Sequence, residues 1–278
     1  MLESRIYDYQ TLLEDLKRLS LQYPFIKTDI IGKSCLCRNI YVLRLGRGAK
    51  KVFYNAAHHG LEWITSALMM RFVFDYALCY VKGIRFRGFD IRRLYEKVSI
   101  YIAPMVNPDG VEMSKTIEGW QANARGVDLN HNYDAGWHEY KALAAKNGIT
   151  RPCATRYPGK RCESEPETAA VAGFTRKMDF DYVVAFHSQG KVIYWQYGDM
   201  QPSGSRRIGE LMSRISGYEL DEADGLSSYS GYKDWFIKEF SRPGFTIEVG
   251  LGKNPLPYSA LDGIYGEVAG ILVIPEIV

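Results

Sequence analysis

The chain has 278 residues, 46% of them hydrophobic, and a formal net charge of +3 at pH 7. That length suits one large α/β core, and so small a charge excludes an electrostatic grip on nucleic acid as the organising function.

The opening Met-Leu-Glu-Ser-Arg-Ile has no signal-peptide layout, which leaves the compartment open between cytoplasm and export. Asp8 reads as the N-cap of a first helix with Tyr9, Leu12, Leu13, Leu16 and Leu19 at helical spacing, and Pro24 lies beyond its end. Strands are expected near Phe25–Ile31 and Asn39–Leu45, with Gly46 and Gly48 as punctuation. Cys35 and Cys37 flank one residue of a predicted strand, so their side chains are expected on one face. A buried strand follows at Val52–Ala57, then a helix through Ile64, Leu68, Met69 and Phe72 to about Val81, with Cys79 in its core pattern. No apolar run is predicted to be long enough to span a membrane. The basic residues Lys82, Arg85, Arg87, Arg92 and Arg93 read as a solvated loop and helix face.

Val98–Ala103 is another apolar strand, and it runs into Pro104–Gly110, a turn by composition. Val111–Arg161 has weak periodicity and many polar and glycine residues, the kind of long irregular segment that is often functional. Cys153 and Cys162 bracket its last loop and have the spacing to close it as a disulfide. Ser164-Glu165-Pro166-Glu167 opens a helix, with Ser164 as expected N-cap. Beyond it come strands at Asp181–Phe186, ending at His187, and at Val192–Tyr197, and helices near Ser205–Ser216 and Tyr232–Phe240. A strand at Phe245–Val249 carries Glu248, and a last helix is expected over Ser259–Val273. Strands alternating with helices predict an α/β fold, a mixed and mostly parallel central sheet with helices on both faces, in a single domain over 1–278. A monomer is expected.

Three strand ends carry chemistry. His59 and Glu62 follow the Val52–Ala57 strand, His187 ends a second and Glu248 sits in a third, so all can converge on one sheet edge. Two imidazoles and a carboxylate suit a hydrolytic zinc with a position left for water, and His58 competes with His59 as ligand. Glu248 then has the chemistry of a general base.

Seven ordered motifs carry a resemblance: His-x-x-Glu-Trp-Ile at 59–64, Asn-Pro-Asp-Gly at 107–110, Gly-Val-Asp-Leu-Asn at 126–130, Tyr-Pro-Gly at 157–159, Ser-Glu-Pro-Glu-Thr at 164–168, Phe-His-Ser at 186–188 and Phe-Thr-Ile-Glu at 245–248. With them the chain resembles the zinc carboxypeptidases over nearly its whole length. The resemblance implies a zinc peptidase with His59, Glu62 and His187 as Zn2+ ligands, the register through Glu62-Trp63-Ile64 favouring His59 over His58, and Glu248 as general base. It also marks departures. Where the family has an arginine for the oxyanion, the aligned residue is Gln121, and Arg125 four positions on is expected to take the role. Where family exopeptidases grip the terminal carboxylate with Asn-Arg, this chain has Asn130-His131. Lys233, before Asp234-Trp235, falls at the pocket for the residue after the cut and is expected to select an acidic side chain, with Tyr229 as counterpart of the family's mobile tyrosine.

Together His131 and Lys233 look like the branch that cuts cell-wall peptides between γ-D-glutamate and a diamino acid. The expected partner is a peptide or muropeptide. The alternatives are an ordinary metallocarboxypeptidase and a non-catalytic zinc or peptidoglycan binder, the latter at odds with the retained Glu248.

Overall fold

The structure, a computed structural model, describes residues 6–223, 225 and 229–278. The opening Met1–Arg5, on which the expectation of no leader rests, lies outside them.

Asp8 caps helix α1 (Tyr9–Gln22) by accepting from the Thr11 amide at 2.9 Å, and Leu12, Leu16 and Leu19 form its buried stripe. Phe25 and Ile26 are not strand residues. They pack inward as the connection out of α1, so the first strand begins two residues later than expected, as β1 (Lys27–Lys33). A turn at Ser34–Arg38 leads to β2 (Asn39–Leu45). Cys35 and Cys37 lie in that turn rather than in a strand, so the shared face does not exist, and Cys37 is exposed with φ 62. β3 (Lys50–Ala56) and α2 (Ile64–Lys82) follow. With its preceding turn, α2 spans 23 residues and its most apolar 18-residue window has a mean hydropathy of 1.3, long and apolar enough to cross a membrane by length and composition, which corrects the expectation. Of the most apolar window 67% is buried within the protein, as in a core helix.

A short hairpin, β4 (Arg85–Phe86) with β5 (Phe89–Asp90), and helix α3 (Ile91–Lys97), capped by Asp90, escaped the sequence reading; Arg85, Arg87, Arg92 and Arg93 are exposed there. β6 (Val98–Ala103) is buried throughout. The Asn-Pro-Asp-Gly motif, expected as a turn, starts helix α4 (Pro108–Ser114): the Asn107 side chain caps the Gly110 amide at 2.8 Å, and Pro108 fills the first position, where no amide partner is needed. Within the irregular stretch lies α5 (Trp137–Lys146). Then come α6 (Pro166–Met178), preceded by Glu165 rather than Ser164 and with no side-chain cap, β7 (Tyr182–His187) and β8 (Val192–Tyr194), three residues shorter than expected. The rest is α7 (Ser205–Ser216), β9 (Glu219–Asp221), α8 (Tyr232–Phe240), β10 (Gly244–Glu248) and α9 (Leu261–Val268). The expected last helix breaks after α9, and Ile271–Glu276 continues as a 3-10 turn around Pro275. All five cysteines are free, so the Cys153–Cys162 disulfide is not formed; the Cys153 thiol donates to the Thr155 carbonyl at 3.0 Å.

Eight strands form one sheet in the order β1-β2-β6-β3-β7-β10-β8-β9. The four central strands β6, β3, β7 and β10 run parallel, and β2 and β8 join their two sides antiparallel. Alternate residues of the buried strands feed two cores. Tyr54, Val184 and Ile100 meet α1, α2, α3, α7 and α9 on one face, while Phe53, Val183 and Tyr101 meet α6 and α8 on the other. The fold is thus a mixed α/β layer with the C-terminal ends of β3, β7 and β10 side by side.

The stretch between α4 and α6 has little apolar periodicity because buried amides hold it instead. Asn107 donates to the carbonyls of His58 at 2.9 Å and of Gln121 and Ala122 at 3.2 Å. Asn123 donates to Glu165 at 2.9 Å and accepts from the amides of Arg125 and Val127. Asn132 donates to the Pro158 carbonyl at 2.8 Å and accepts from the Glu165 amide at 3.2 Å. These side chains satisfy backbone groups that no helix or strand pairs.

Candidate active site

β3 stops at Ala56 because Ala57 takes φ 51, a left-handed conformation that turns the chain out of the sheet. His59 follows, and a 3-10 turn at Gly60–Glu62 leads into α2. Gly60 makes this turn possible: a Cβ there would sit 2.2 Å from the Gly110 carbonyl oxygen of α4. The turn brings the His59 and Glu62 side chains to one side. His187 arrives from the neighbouring end of β7, whose pairing with β3 is parallel through Ala56 and Phe186.

The Glu62 carboxylate lies between the two imidazoles, with Oε1 2.8 Å from His59 Nδ1 and Oε2 3.0 Å from His187 Nδ1, and the two Nδ1 atoms are 3.3 Å apart. A tetrahedral zinc with bonds of about 2.1 Å has donor–donor edges of about 3.4 Å, so these three donors, two of them buried, fit one Zn2+. His58 stands outside the set. It is fully buried, its Nε2 is 2.9 Å from the Tyr133 hydroxyl, and its ring stacks on that of His187 at 5.6 Å. Burial holds its pKa well below the usual histidine value.

Asp128 completes the centre and was given no role of its own in the sequence reading. Its Oδ1 is 3.2 Å from His59 Nε2 and accepts from the Asn130 amide at 3.1 Å, while Oδ2 accepts from the Arg156 amide at 2.9 Å. A carboxylate on the far nitrogen fixes the ring and leaves Nδ1 for the metal. Its only sequence signal was a place inside Gly-Val-Asp-Leu-Asn.

The charges are strongly coupled. Burial alone would disfavour the His59 cation, but Glu62 and Asp128 outweigh it and raise the imidazole well above its usual range. Burial would raise Glu62, yet His59 and His187 hold it down at about 2. Glu248 ends β10 in register with His187 and lines the same cleft. Burial, then the charge of Glu62, pushes its carboxyl well above the ordinary range, the direction a proton-accepting base needs.

The cleft, about 350 Å³, is lined by His59, Glu62 and Glu248 and by Gln121, Asn130, His131 and Lys233 of the other expected residues. Asn130 accepts from the Tyr232 amide at 3.1 Å. His131 stacks on Tyr140 at 4.0 Å and donates through Nδ1 to the Tyr229 carbonyl at 3.1 Å, and burial lowers its pKa. Two expected residues are not brought in. Arg125 does not line the cleft: its side chain is 58% exposed and its guanidinium lies 3.6 Å from Glu165, which corrects its assignment to the oxyanion. The segment is turned that way because Asn123 clamps the Arg125 amide at 2.9 Å. The Tyr229 ring lies over Gly136 in a neighbouring groove shared with Tyr197. The arginine that does line the cleft is Arg156, missed although it immediately precedes the Tyr-Pro-Gly motif.

Comparison with known proteins agrees with this geometry. A family model described as Zinc carboxypeptidase matches residues 12–267. The chain is 39% identical over 288 residues to Gamma-D-glutamyl-L-diamino acid endopeptidase 1 of Lysinibacillus sphaericus, covering 96% of this chain and 71% of that protein. It is 31% identical to Carboxypeptidase B of Bos taurus, covering 87% of this chain and 62% of that one. The crystal structure of thrombin activatable fibrinolysis inhibitor shares the fold at a TM-score of 0.81 and 22% identity, covering 98% of this chain and 74% of that one.

Proposed function

The chain belongs to the zinc carboxypeptidase family and is a zinc metallopeptidase, and from that premise we propose that it hydrolyses the γ-D-glutamyl–diaminopimelate bond of peptidoglycan peptides. The observation that carries the reading is the pair His131 and Lys233 in the cleft of a chain 39% identical to an enzyme named for a γ-D-glutamyl-diamino acid bond. An exopeptidase grips a free terminal carboxylate with a cationic, bidentate group. Burial lowers the pKa of His131, disfavouring its charged form, and its Nδ1 is engaged by the Tyr229 carbonyl, so it offers no such grip.

His59, Glu62 and His187 would hold the zinc, and Asp128 fixes the His59 ring. Bound there, zinc supplies a Lewis acid for the scissile carbonyl and a more acidic water. Glu248 takes the proton of the attacking water and passes it to the leaving amine as the C–N bond breaks. With Arg125 outside the cleft, Gln121 and the cationic Arg156 are the donors for the developing oxyanion. Asn130 and His131 hold the backbone beside the cut, and Lys233 meets the side chain after it.

The second reading, an ordinary carboxypeptidase, is favoured by the likeness to Carboxypeptidase B. The two part on the terminal carboxylate. Paired peptides differing only in a free or amidated C-terminus should be cut at similar rates under the first reading. Loss of cleavage on amidation would replace it with the second.

A further inference from the structure

The positive charge of the chain is concentrated in one place. Residues 82–97 hold six basic side chains, Lys82, Arg85, Arg87, Arg92, Arg93 and Lys97, against the two acidic ones of Asp90 and Glu96, a net of +4 where the whole chain carries +3. All six cations are exposed. Beside them stand three exposed aliphatic side chains, Leu78 at 37%, Val81 at 53% and Ile84 at 49%. Leu78, Val81 and Lys82 lie three and four residues apart at the end of α2, so they share one face. A single exposed aliphatic needs no explanation, but three so close together among cations form a patch.

The patch is held in shape. Gly83 ends α2 with φ 66, and Arg92 of α3 reaches across that end to donate to the carbonyls of Tyr80 and Val81 at 3.0 Å. Arg87 and Gly88 form the tip of the β4–β5 hairpin with φ 50 and 87, the positive pair that a two-residue loop needs. Phe86 turns inward, 5.9 Å from Phe72 and 6.3 Å from Tyr265, which leaves its strand neighbours Arg85 and Arg87 outward. The partners of Arg85 and Arg92 are carbonyls, which do not neutralise them. Glu96 pairs with Arg47 and Arg93 with Glu276, so these two ion pairs to residues outside the segment leave the net charge unchanged. The patch is also remote from the zinc ligands. α2 starts two residues after Glu62 and runs 19 residues, about 28 Å, before reaching it. α3 ends where β6 begins, at the opposite edge of the parallel strands from His187 and Glu248.

We propose that this patch docks the protein on an anionic lipid surface, with the zinc cleft turned away from it. The cations face the phosphate headgroups, and Val81 and Ile84 enter the apolar boundary below them. A soluble polyanion would use the charge but leave the aliphatic side chains in water, so lipid is the occupant that fits both halves of the patch. Docked in this way, the cleft stays open to peptides, and the docking does not depend on which bond the enzyme cuts.

The test is cosedimentation of the full-length protein with vesicles of phosphatidylcholine alone or with about 30% phosphatidylglycerol. The protein is expected to pellet with the anionic vesicles only, and less as salt rises. Lys82→Gln combined with Arg87→Gln should weaken binding roughly 25-fold, about fivefold per cation. Val81→Ser combined with Ile84→Ser, at unchanged charge, should weaken it about tenfold. Thermal melting and hydrolysis of a soluble peptide, both expected at wild-type level, check that the variants fold. Wild-type protein that stays in the supernatant with anionic vesicles overturns the proposal, as does equal pelleting with phosphatidylcholine alone. Undiminished binding of the glutamine variant places the contact elsewhere and overturns it too. Undiminished binding of the serine variant overturns it in favour of a plain polyanion site.

Discussion

Glu248 is the proposed general base. It shares the cleft with His59 and Glu62 and stands in register with His187, and burial with the nearby Glu62 drives its carboxyl upward. Glu248→Gln keeps the shape and removes the proton acceptor, so kcat should fall roughly 10²–10⁴-fold while zinc content by atomic absorption stays at one per chain. Near-normal turnover would remove Glu248 from the mechanism. Asp128 acts one step further out. Asp128→Asn weakens the acceptor on His59 Nε2, and zinc affinity measured by chelator competition should drop roughly 10–100-fold. Unchanged affinity would mean that Asp128 serves only the loop it caps. His59, Glu62, His187 and Glu248 were legible because each polar residue ends or follows an apolar run, a pattern that a sheet converts directly into convergence. Asp128, Arg156 and the misplacement of Arg125 were not legible, because they depend on how an irregular loop folds back, and no periodicity records that. Asp234 was quoted but given no role, since its ion pair with Lys233 is a property of the buried side chains and not of spacing.

Among elements, α7 and α8 fall where the sequence places them: α7 carries an amphipathic stripe through Ile208 and Met212 between Gly204 and Gly217, and α8 starts at Gly231 with an aromatic run buried from Tyr232 to Ile237. α5 was hidden for the opposite reason: only Trp137, Tyr140 and Ala144 are buried in it, too few apolar positions to mark a helix against its polar neighbours. α4 was misread as a turn because asparagine, proline, aspartate and glycine also make a helix start when the asparagine caps and the proline takes the first position. Asn107 there ties three segments together, capping α4 and donating to the carbonyls of His58, Gln121 and Ala122. Asn107→Ala removes a cap and strands buried backbone acceptors, and urea unfolding should show a loss of about 2–4 kcal/mol. A loss under about 0.5 kcal/mol would mean that water replaces those bonds freely, and that the loop does not depend on this amide.

For the whole molecule, one edge of a mixed sheet gathers a zinc centre, the Glu248 carboxylate and a charge-paired pocket, and the surrounding polar loop is built from side-chain amides rather than regular structure. Most of the sheet and of its two helical layers follows from strand and helix periods, with β9 and α3 as the exceptions. The loop does not, and the substrate-facing half of the cleft is made largely from it and from α8. The central claim is that this cleft cuts between γ-D-glutamate and diaminopimelate. The direct measurement is digestion of L-alanyl-γ-D-glutamyl-meso-diaminopimelate and its longer muropeptides by the zinc-loaded protein, with mass spectrometry of the products and a chelated control. The predicted result is L-alanyl-D-glutamate together with diaminopimelate or a diaminopimelyl peptide, dependent on zinc. Intact muropeptide, alongside release of apolar C-terminal residues from ordinary peptides, would contradict it.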